Sequence, residues 1–249
     1  MHLLIALLTT CALTVFAPSS LAETTEKLKS ALASDIRSDA AKTRDANRKP
    51  IETLTFFGLE DDMRVLELIP GGGWYTELLA PVLAEKGKLF VAVGTQGIER
   101  KIADGRLNHV EVIRVDQASS GQAKDGRRYA MQGLKINAQN IDLVLTFRNL
   151  HNFDPATRAE LNREAFRVLK SGGRYGVVDH TRRHMQKDND ENWRRMDPVL
   201  MIKEIESAGF EWIDFSDLHY RYDDELRYEV GRSSVRGNTD RFTLLFKKP

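Results

Sequence analysis

Between Val65 and Thr76 an apolar run, Val65-Leu66-Glu67-Leu68-Ile69, meets Pro70 and three consecutive glycines, Gly71-Gly72-Gly73, and passes into a helix-like segment opened by Trp74-Tyr75-Thr76. Glycine has no Cβ and tolerates positive φ, so a strand that turns through glycines into a helix leaves bare backbone, amide N–H groups and the positive helix end open to a ligand. Nucleotide-like cofactors use that arrangement. A dinucleotide fingerprint G-x-G-x-x-G would need its third glycine at position 76, where Thr76 stands, and this weakens a nicotinamide reading. A loop that merely joins strand to helix is the plain alternative.

Downstream, strand and helix signals alternate. Apolar runs predict strands over 64–69, 88–93, 110–115, 141–146, 174–179, 210–215 and 241–247, with helices over 74–85, 97–103, 155–169 and 198–208. Asp154-Pro155 and Asp197-Pro198 read as N-caps followed by proline at N1, and Gly172 and Gly209 as the corresponding C-terminal stops. Alternation of this kind implies a mostly parallel sheet with helices on both faces. Only the irregular, tyrosine-bearing stretch 218–240 separates the last two strands, so the final strand is expected to return antiparallel. Pro50 opens a short helix whose Ile51, Leu54, Phe56 and Phe57 would face a core, and Gly58 closes it. Residues 23–49 are polar and charged with scattered apolar positions, among them Leu28, Ala31, Ile36 and Ala40, consistent with a helical extension lying on the surface.

The N-terminus sets an expected destination. Leu3 to Phe16 is almost entirely apolar and 14 residues long, within the range of a secretory h-region and short of the roughly 20 that span a bilayer. Ser20-Leu21-Ala22 supplies small residues at the peptidase positions, so residues 1–22 read as a signal peptide cleaved after Ala22, with no stable membrane anchor left behind. The product would be periplasmic or secreted, and the only cysteine, Cys11, would leave with the signal. The mature chain would then hold no disulfide. The rest, 50–249, suits one domain. The formal net charge of +1 provides no basic face for nucleic acid.

Four strand ends carry a resemblance. Glu67 to Gly73 is similar to the first motif of the class I S-adenosylmethionine (SAM) methyltransferases, an acidic residue followed by a glycine-rich loop; Asp116 stands where that family places the acid that contacts the adenine amino group. Asp142-Leu143-Val144-Leu145 looks like its fourth strand, Val168 to Arg174 like the turn before its fifth, and Ala208-Gly209-Phe210 with Arg241 to Lys247 like its terminal antiparallel pair. More narrowly, the chain resembles a group of exported predicted methyltransferases through Arg44-Asp45, Pro50 to Gly58, Pro70-Gly71-Gly72-Gly73-Trp74-Tyr75-Thr76-Glu77, Phe147 to Asn152, Val177 to His180 and Arg236 to Phe242, together spanning about residues 44–249. The resemblance implies a Rossmann-like, seven-stranded, mostly parallel sheet with an antiparallel last strand, SAM as cofactor, and methyl transfer to a small-molecule or envelope substrate. Cofactor contacts are implied for Glu67, Pro70, Gly71, Gly72, Gly73, Trp74, Tyr75, Gln96, Asp116 and Arg148. Two departures stand out. Ile69 replaces the first glycine of the family loop, and the second strand, running into Gly94-Thr95-Gln96, lacks the carboxylate that holds the ribose, so Thr95 or Gln96 would have to offer hydrogen bonds instead. A methyltransferase fold that binds a ligand without catalysis is the alternative.

Methyl transfer needs a nucleophile placed in line with the sulfonium and, for a protonated acceptor, a base. His151 could serve as that base, with Asn149 orienting the acceptor and His180 as a second candidate; equally, His151 could cap the helix that starts near Pro155. His180, His184 and Asp179 lack the spacing of a closed metal set, and Thr181 to His184 reads as a solvated loop. Trp74 and Tyr75 either stack on a substrate or pack on the sheet. Arg44, Arg48 and Arg236 either hold a methionyl carboxylate or an anionic acceptor, or are surface charges.

Overall fold

The structure, a computed structural model, describes residues 20–249. The h-region and Cys11 therefore lie outside the described residues, and the cleavage point expected after Ala22 falls in the first turn of the first described helix. In chain order the elements are α1 (Ser20–Ala33), α2 (Asp39–Lys42), α3 (Asp45–Arg48), α4 (Pro50–Phe56), β1 (Arg64–Leu68), α5 (Thr76–Leu83), β2 (Lys88–Ala92), α6 (Gln96–Ala103), β3 (Val110–Val112), β4 (Ile141–Phe147), α7 (Pro155–Val168), β5 (Leu169–His180), α8 (Pro198–Glu206), β6 (Glu211–Ser216) and β7 (Arg241–Lys247). Two small antiparallel ladders, Val115–Asp116 with Lys135–Ile136 and Ser119–Gln122 with Tyr129–Gln132, fill the connection from β3 to β4.

The seven strands form one sheet in the order β6-β7-β5-β4-β1-β2-β3. β1 pairs in parallel with β2 and β4, β2 with β3, and β4 with β5, whereas β7 runs antiparallel to both β5 and β6. The late antiparallel strand is thus present, inserted between β5 and β6. Side chains alternate across the sheet with period two. Leu66 and Leu68 of β1 and Tyr175 and Val177 of β5 face a layer with Leu161, Ala165 and Val168 of α7 and Met201 and Ile205 of α8. Val65 of β1 and Leu143 and Leu145 of β4 face the opposite layer, with Leu78, Leu79 and Val82 of α5, Ile98 of α6, Leu54 of α4 and Leu28 and Ala31 of α1. Leu28 and Ala31, three apart on α1, are 1% and 3% exposed. The N-terminal segment therefore completes one core layer with one face and is solvated on the other.

Local signals mark most boundaries. The Asp154 side chain accepts from Thr157 N, and that of Asp197 from Val199 N, with Pro155 and Pro198 opening α7 and α8. Gly209 follows α8 at φ 107°. Gly172 does not stop α7. Leu169 is already extended at φ −68°, ψ 143° and enters the sheet beside Ile141, and Gly172, at φ 78°, sits within a bulged β5. The helix expected from residue 74 begins at Thr76, because Gly71 to Tyr75 are spent on the turn.

Candidate functional site

β1 and β4 are neighbours, yet the chain leaves β1 toward β2 and β3 on one side and returns to β4 on the other. This is a topological switch point, where open α/β sheets form a crevice at the strand carboxyl ends. Three strands end there in left-handed backbone: Ile69 after β1 at φ 56°, Val93 after β2 at φ 65° and Arg148 after β4 at φ 58°. For β-branched Ile69 and Val93 this conformation costs on the order of 1–2 kcal/mol each. Strain of this kind, repeated at one end of a sheet, marks a binding surface. The Ile69 turn also accounts for the replaced glycine: an isoleucine takes the left-handed turn that glycine would adopt freely.

Two cavities meet at Ile69. The first, about 460 Å³, lies between the glycine loop and the N-terminal segment; Glu67, Pro70, Gly71, Gly72, Trp74, Tyr75, Phe147, Arg148 and Asn149 line it with Ile36, Ser38, Ala41, Arg44 and Arg48. A Cβ placed on Gly71 or Gly72 would meet nothing within 4 Å, so the loop presents bare backbone to this space. Gly73, at φ 80°, instead packs on α6, where an added Cβ would lie 2.6 Å from Ile98 Cδ1. Trp74 and Tyr75 are buried walls: Trp74 Nε1 donates to Ala41 O at 2.9 Å, and Tyr75 stacks on Phe147 with centroids 3.5 Å apart. Asn149 Nδ2 donates to Ile69 O at 2.7 Å and Phe147 O at 3.0 Å, holding the ends of β1 and β4 together.

Glu67 lies beneath the loop, 2% exposed, and accepts a hydrogen bond from Thr76 Oγ1 at 2.6 Å. Burial pushes its carboxyl up to about 8, against the lowering effect of Thr76 and Arg48. Because the folded-state value lies above the usual carboxylate value of 4.5, its contribution to stability is complete below about pH 4.5 and is lost as pH rises toward 8. Glu67→Gln, which mimics the protonated form, is expected to match the wild type near pH 5 and exceed its stability by on the order of 3 kcal/mol at pH 8 in urea unfolding. A difference between the two proteins that stays constant with pH would show that Glu67 ionises freely in the fold.

The second cavity, about 850 Å³, extends from Ile69 past Val93, Gly94, Thr95 and Gln96 to Ile113, Val115 and Gln117, under a roof made by Ser120, Gln122, Tyr129 and Met131 of the small hairpin. No carboxylate follows β2 directly, but Glu99, one turn into α6, lines this cavity and is held by Thr95 Oγ1 at 2.6 Å. Glu99 is not among the contacts the resemblance implies; its signal in the sequence is the i, i+4 spacing from Thr95, which puts hydroxyl and carboxylate on one helix face. Asp116 is displaced from the position the resemblance implied. β3 stops at Val112, and the Asp116 carboxylate pairs with Arg114 Nε at 3.0 Å and Asn137 Nδ2 at 3.1 Å outside the cavity lining. Glu99→Gln is accordingly expected to weaken binding of an adenosine ligand about tenfold and Asp116→Ala less than threefold, by calorimetry. The reverse order would restore Asp116 to the site.

The candidate bases lie elsewhere. His151, in a single 3-10 turn after β4, is 4% exposed, and its Nδ1 lies 2.6 Å from Oδ1 of the buried Asp179. The Asp179 carboxylate accepts from the His151 Nδ1–H. His151 lines a third cavity of about 250 Å³ with Arg128, Arg158, Arg182 and Arg195, so it is separated from the space that Asn149 and Arg148 share. His180 is buried beside it, ring centroids 5.5 Å apart, with Nδ1 2.8 Å from Thr239 Oγ1, and lines none of the three cavities. Burial, and then the neighbouring His151 charge, hold His180 well below the usual histidine range. His184 pairs with Asp197, and among the described residues no three His, Cys, Asp or Glu side chains group to hold a metal. Arg236 is exposed and outside the cleft.

The fold and its switch-point cleft define a class: this is the class I SAM-dependent methyltransferase fold. The chain is similar to a SAM-dependent methyltransferase from Aquifex aeolicus (TM-score 0.56, 19% identity, 89% of this chain and 97% of the other). It is also similar to the [4+2]-cyclase SpnF (TM-score 0.57, 17% identity, 94% and 97%). A third likeness is to a SAM-dependent methyltransferase from Clostridium acetobutylicum (TM-score 0.51, 17% identity, 82% and 91%). At these identities the likeness establishes the shared fold. No family model matches the chain, and no curated protein matches it in sequence.

Proposed function

We propose that this protein is an exported SAM-dependent methyltransferase acting on a small molecule or envelope component. The observation that carries the reading is the pair of cavities joined at Ile69, one against the bare glycine loop and the other reaching the Glu99 carboxylate. The methionyl half of SAM would lie against Gly71 and Gly72 and the adenosine half beneath the hairpin, with Glu99 in place of the missing ribose carboxylate. The residues fit such a ligand: the space beside Gly71 and Gly72 is open, and guanidinium groups face it for a carboxylate. SAM supplies the activated methyl; the protein binds, orients and excludes water. Calorimetric titration with SAM and with its demethylated product, S-adenosylhomocysteine, is expected to show micromolar binding of both, and absence of heat with either ends the reading. Export predicts a periplasmic or secreted product whose first residue is Glu23.

A second reading, a periplasmic binding module on this fold without methyl transfer, is favoured by the placement of both candidate bases: His151 faces a cavity other than the cleft, and His180 lines none of the three. The [4+2]-cyclase SpnF has the same fold, so the fold alone does not set the chemistry. Methyl transfer from labelled SAM to any envelope extract fraction would end this second reading.

A further inference from the structure

The first cavity carries more positive charge than its own carboxylates offset. Lys101 pairs with Glu77 at 2.7 Å and Arg106 with Asp104 at 3.0 Å. Arg48 and Arg148 are different. Among the described residues neither guanidinium makes a hydrogen bond or ion pair, although both line the cavity and Arg48 is only 5% exposed. Arg48 is held in place by stacking, its Cζ 4.3 Å from the Trp74 ring centroid, so the bare charge is fixed rather than free to swing into solvent. Burial first, and the Arg148 charge second, pull Arg48 down to about 8, the signature of two cations confined without a counter-ion. Exposed Arg44 adds a third cation at the rim. Glu67, the remaining carboxylate in the lining, is held largely protonated by its burial near neutral pH.

A buried charge without a partner is expensive, and a fold that keeps Arg48 buried and Arg148 half-buried, both unpaired and facing one cavity, is complementary to an anion. SAM does not meet that demand alone. It brings one carboxylate together with an ammonium and a sulfonium, a net charge of +1, so its binding leaves the cavity with more positive charge than before. Resting on the methyltransferase reading, we infer that the acceptor sharing this cavity is a small soluble molecule bearing its own anionic group, a carboxylate or a phosphate, held by Arg48 and Arg148 while SAM is bound. Planar guanidinium groups pair with both anions in bidentate fashion. The near-complete burial of Arg48 favours a soluble molecule that enters the cavity over a headgroup fixed in a membrane.

The test uses the full chain and two probes, inorganic phosphate and malonate, titrated at constant ionic strength into protein saturated with S-adenosylhomocysteine. Saturable binding of at least one probe to the loaded protein is expected, weakened tenfold or more by Arg148→Gln, less by Arg148→Lys, and unchanged by Arg163→Gln on the exposed face of α7. Displacement of S-adenosylhomocysteine by the probe would show that the arginines serve only the methionyl carboxylate, and would overturn the proposal. Failure of both probes to bind while S-adenosylhomocysteine binds would overturn it too, leaving the methyltransferase reading intact. Failure of S-adenosylhomocysteine itself would remove that reading, and with it the acceptor. Recruitment to phosphatidylglycerol vesicles that phosphate reverses would overturn the soluble ligand.

Discussion

Valine in place of Gly71 is expected to abolish measurable SAM binding, a loss of at least a hundredfold, or about 2.7 kcal/mol, while the chain still folds. Gly71 has φ 57°, and its missing Cβ would point into open cavity with no protein atom within 4 Å. A side chain built outward from there enters the space beside the loop where the methionyl half of the ligand would lie. A β-branched residue at this φ also costs on the order of 1–2 kcal/mol. Relief by rotating the peptide is blocked on the other side, because Gly71 O lies so near α6 that a Cβ on Gly97 would sit 2.5 Å from it. Gly71→Ala, smaller but equally strained, should lose roughly tenfold. Calorimetry reads the binding and thermal unfolding reads the strain. Binding by the valine variant within tenfold of wild type would show that the glycine loop is not the ligand surface.

The largest expected effect on stability lies outside the cleft. Arg195 and Asp224 form an ion pair whose side chains are both 0% exposed, with guanidinium nitrogens 2.8 and 2.9 Å from the two carboxylate oxygens. Arg195 also donates to Tyr228 O and Thr181 O, and Asp224 accepts from the backbone of Leu226 and Asp240. This cluster ties the irregular segment between β6 and β7 to the end of β5. Asp224→Ala leaves a buried guanidinium uncompensated and is expected to cost about 3–5 kcal/mol in urea unfolding. Glu191→Ala, which removes the exposed partner of Arg232, should cost under about 0.5 kcal/mol. Equal effects of the two would show that the buried pair is solvated in the native state.

The strands were legible because their apolar runs are long and follow the pleat, and the caps because Asp154-Pro155 and Asp197-Pro198 act within one turn of chain. Pro50 and Gly58 bracket α4 for the same reason. The glycine loop was legible as a backbone feature, since a missing Cβ is written directly in the residue name. Side-chain destinations beyond the strand ends were not. Asp116 follows an apolar run, yet the small ladder with Lys135–Ile136 turns its carboxylate to Arg114 and Asn137. His151 and Asp179 are 28 residues apart and meet only because β4 and β5 are neighbours. Arg48, in a polar stretch, reads as surface charge, and its burial depends on Trp74 and on the stretch from Ile36 to Arg44 that lines the same cavity.

The sequence by itself determined the order and type of the seven sheet strands and of α4 to α8, the parallel sheet with its late antiparallel strand, and the position of the bare-backbone turn. Each of these rests on interactions between residues close in the chain or on a hydrophobic period that any register must respect. Tertiary structure alone decided which carboxylate lines the cavity beyond β2, which cavity holds the histidine, and that a buried Arg48 and a half-buried Arg148 face one cavity with no hydrogen bond or ion pair among the described residues. Those outcomes depend on backbone turns at Ile69, Val93 and Arg148 and on contacts between segments far apart in sequence, for which no local pattern carries the energy.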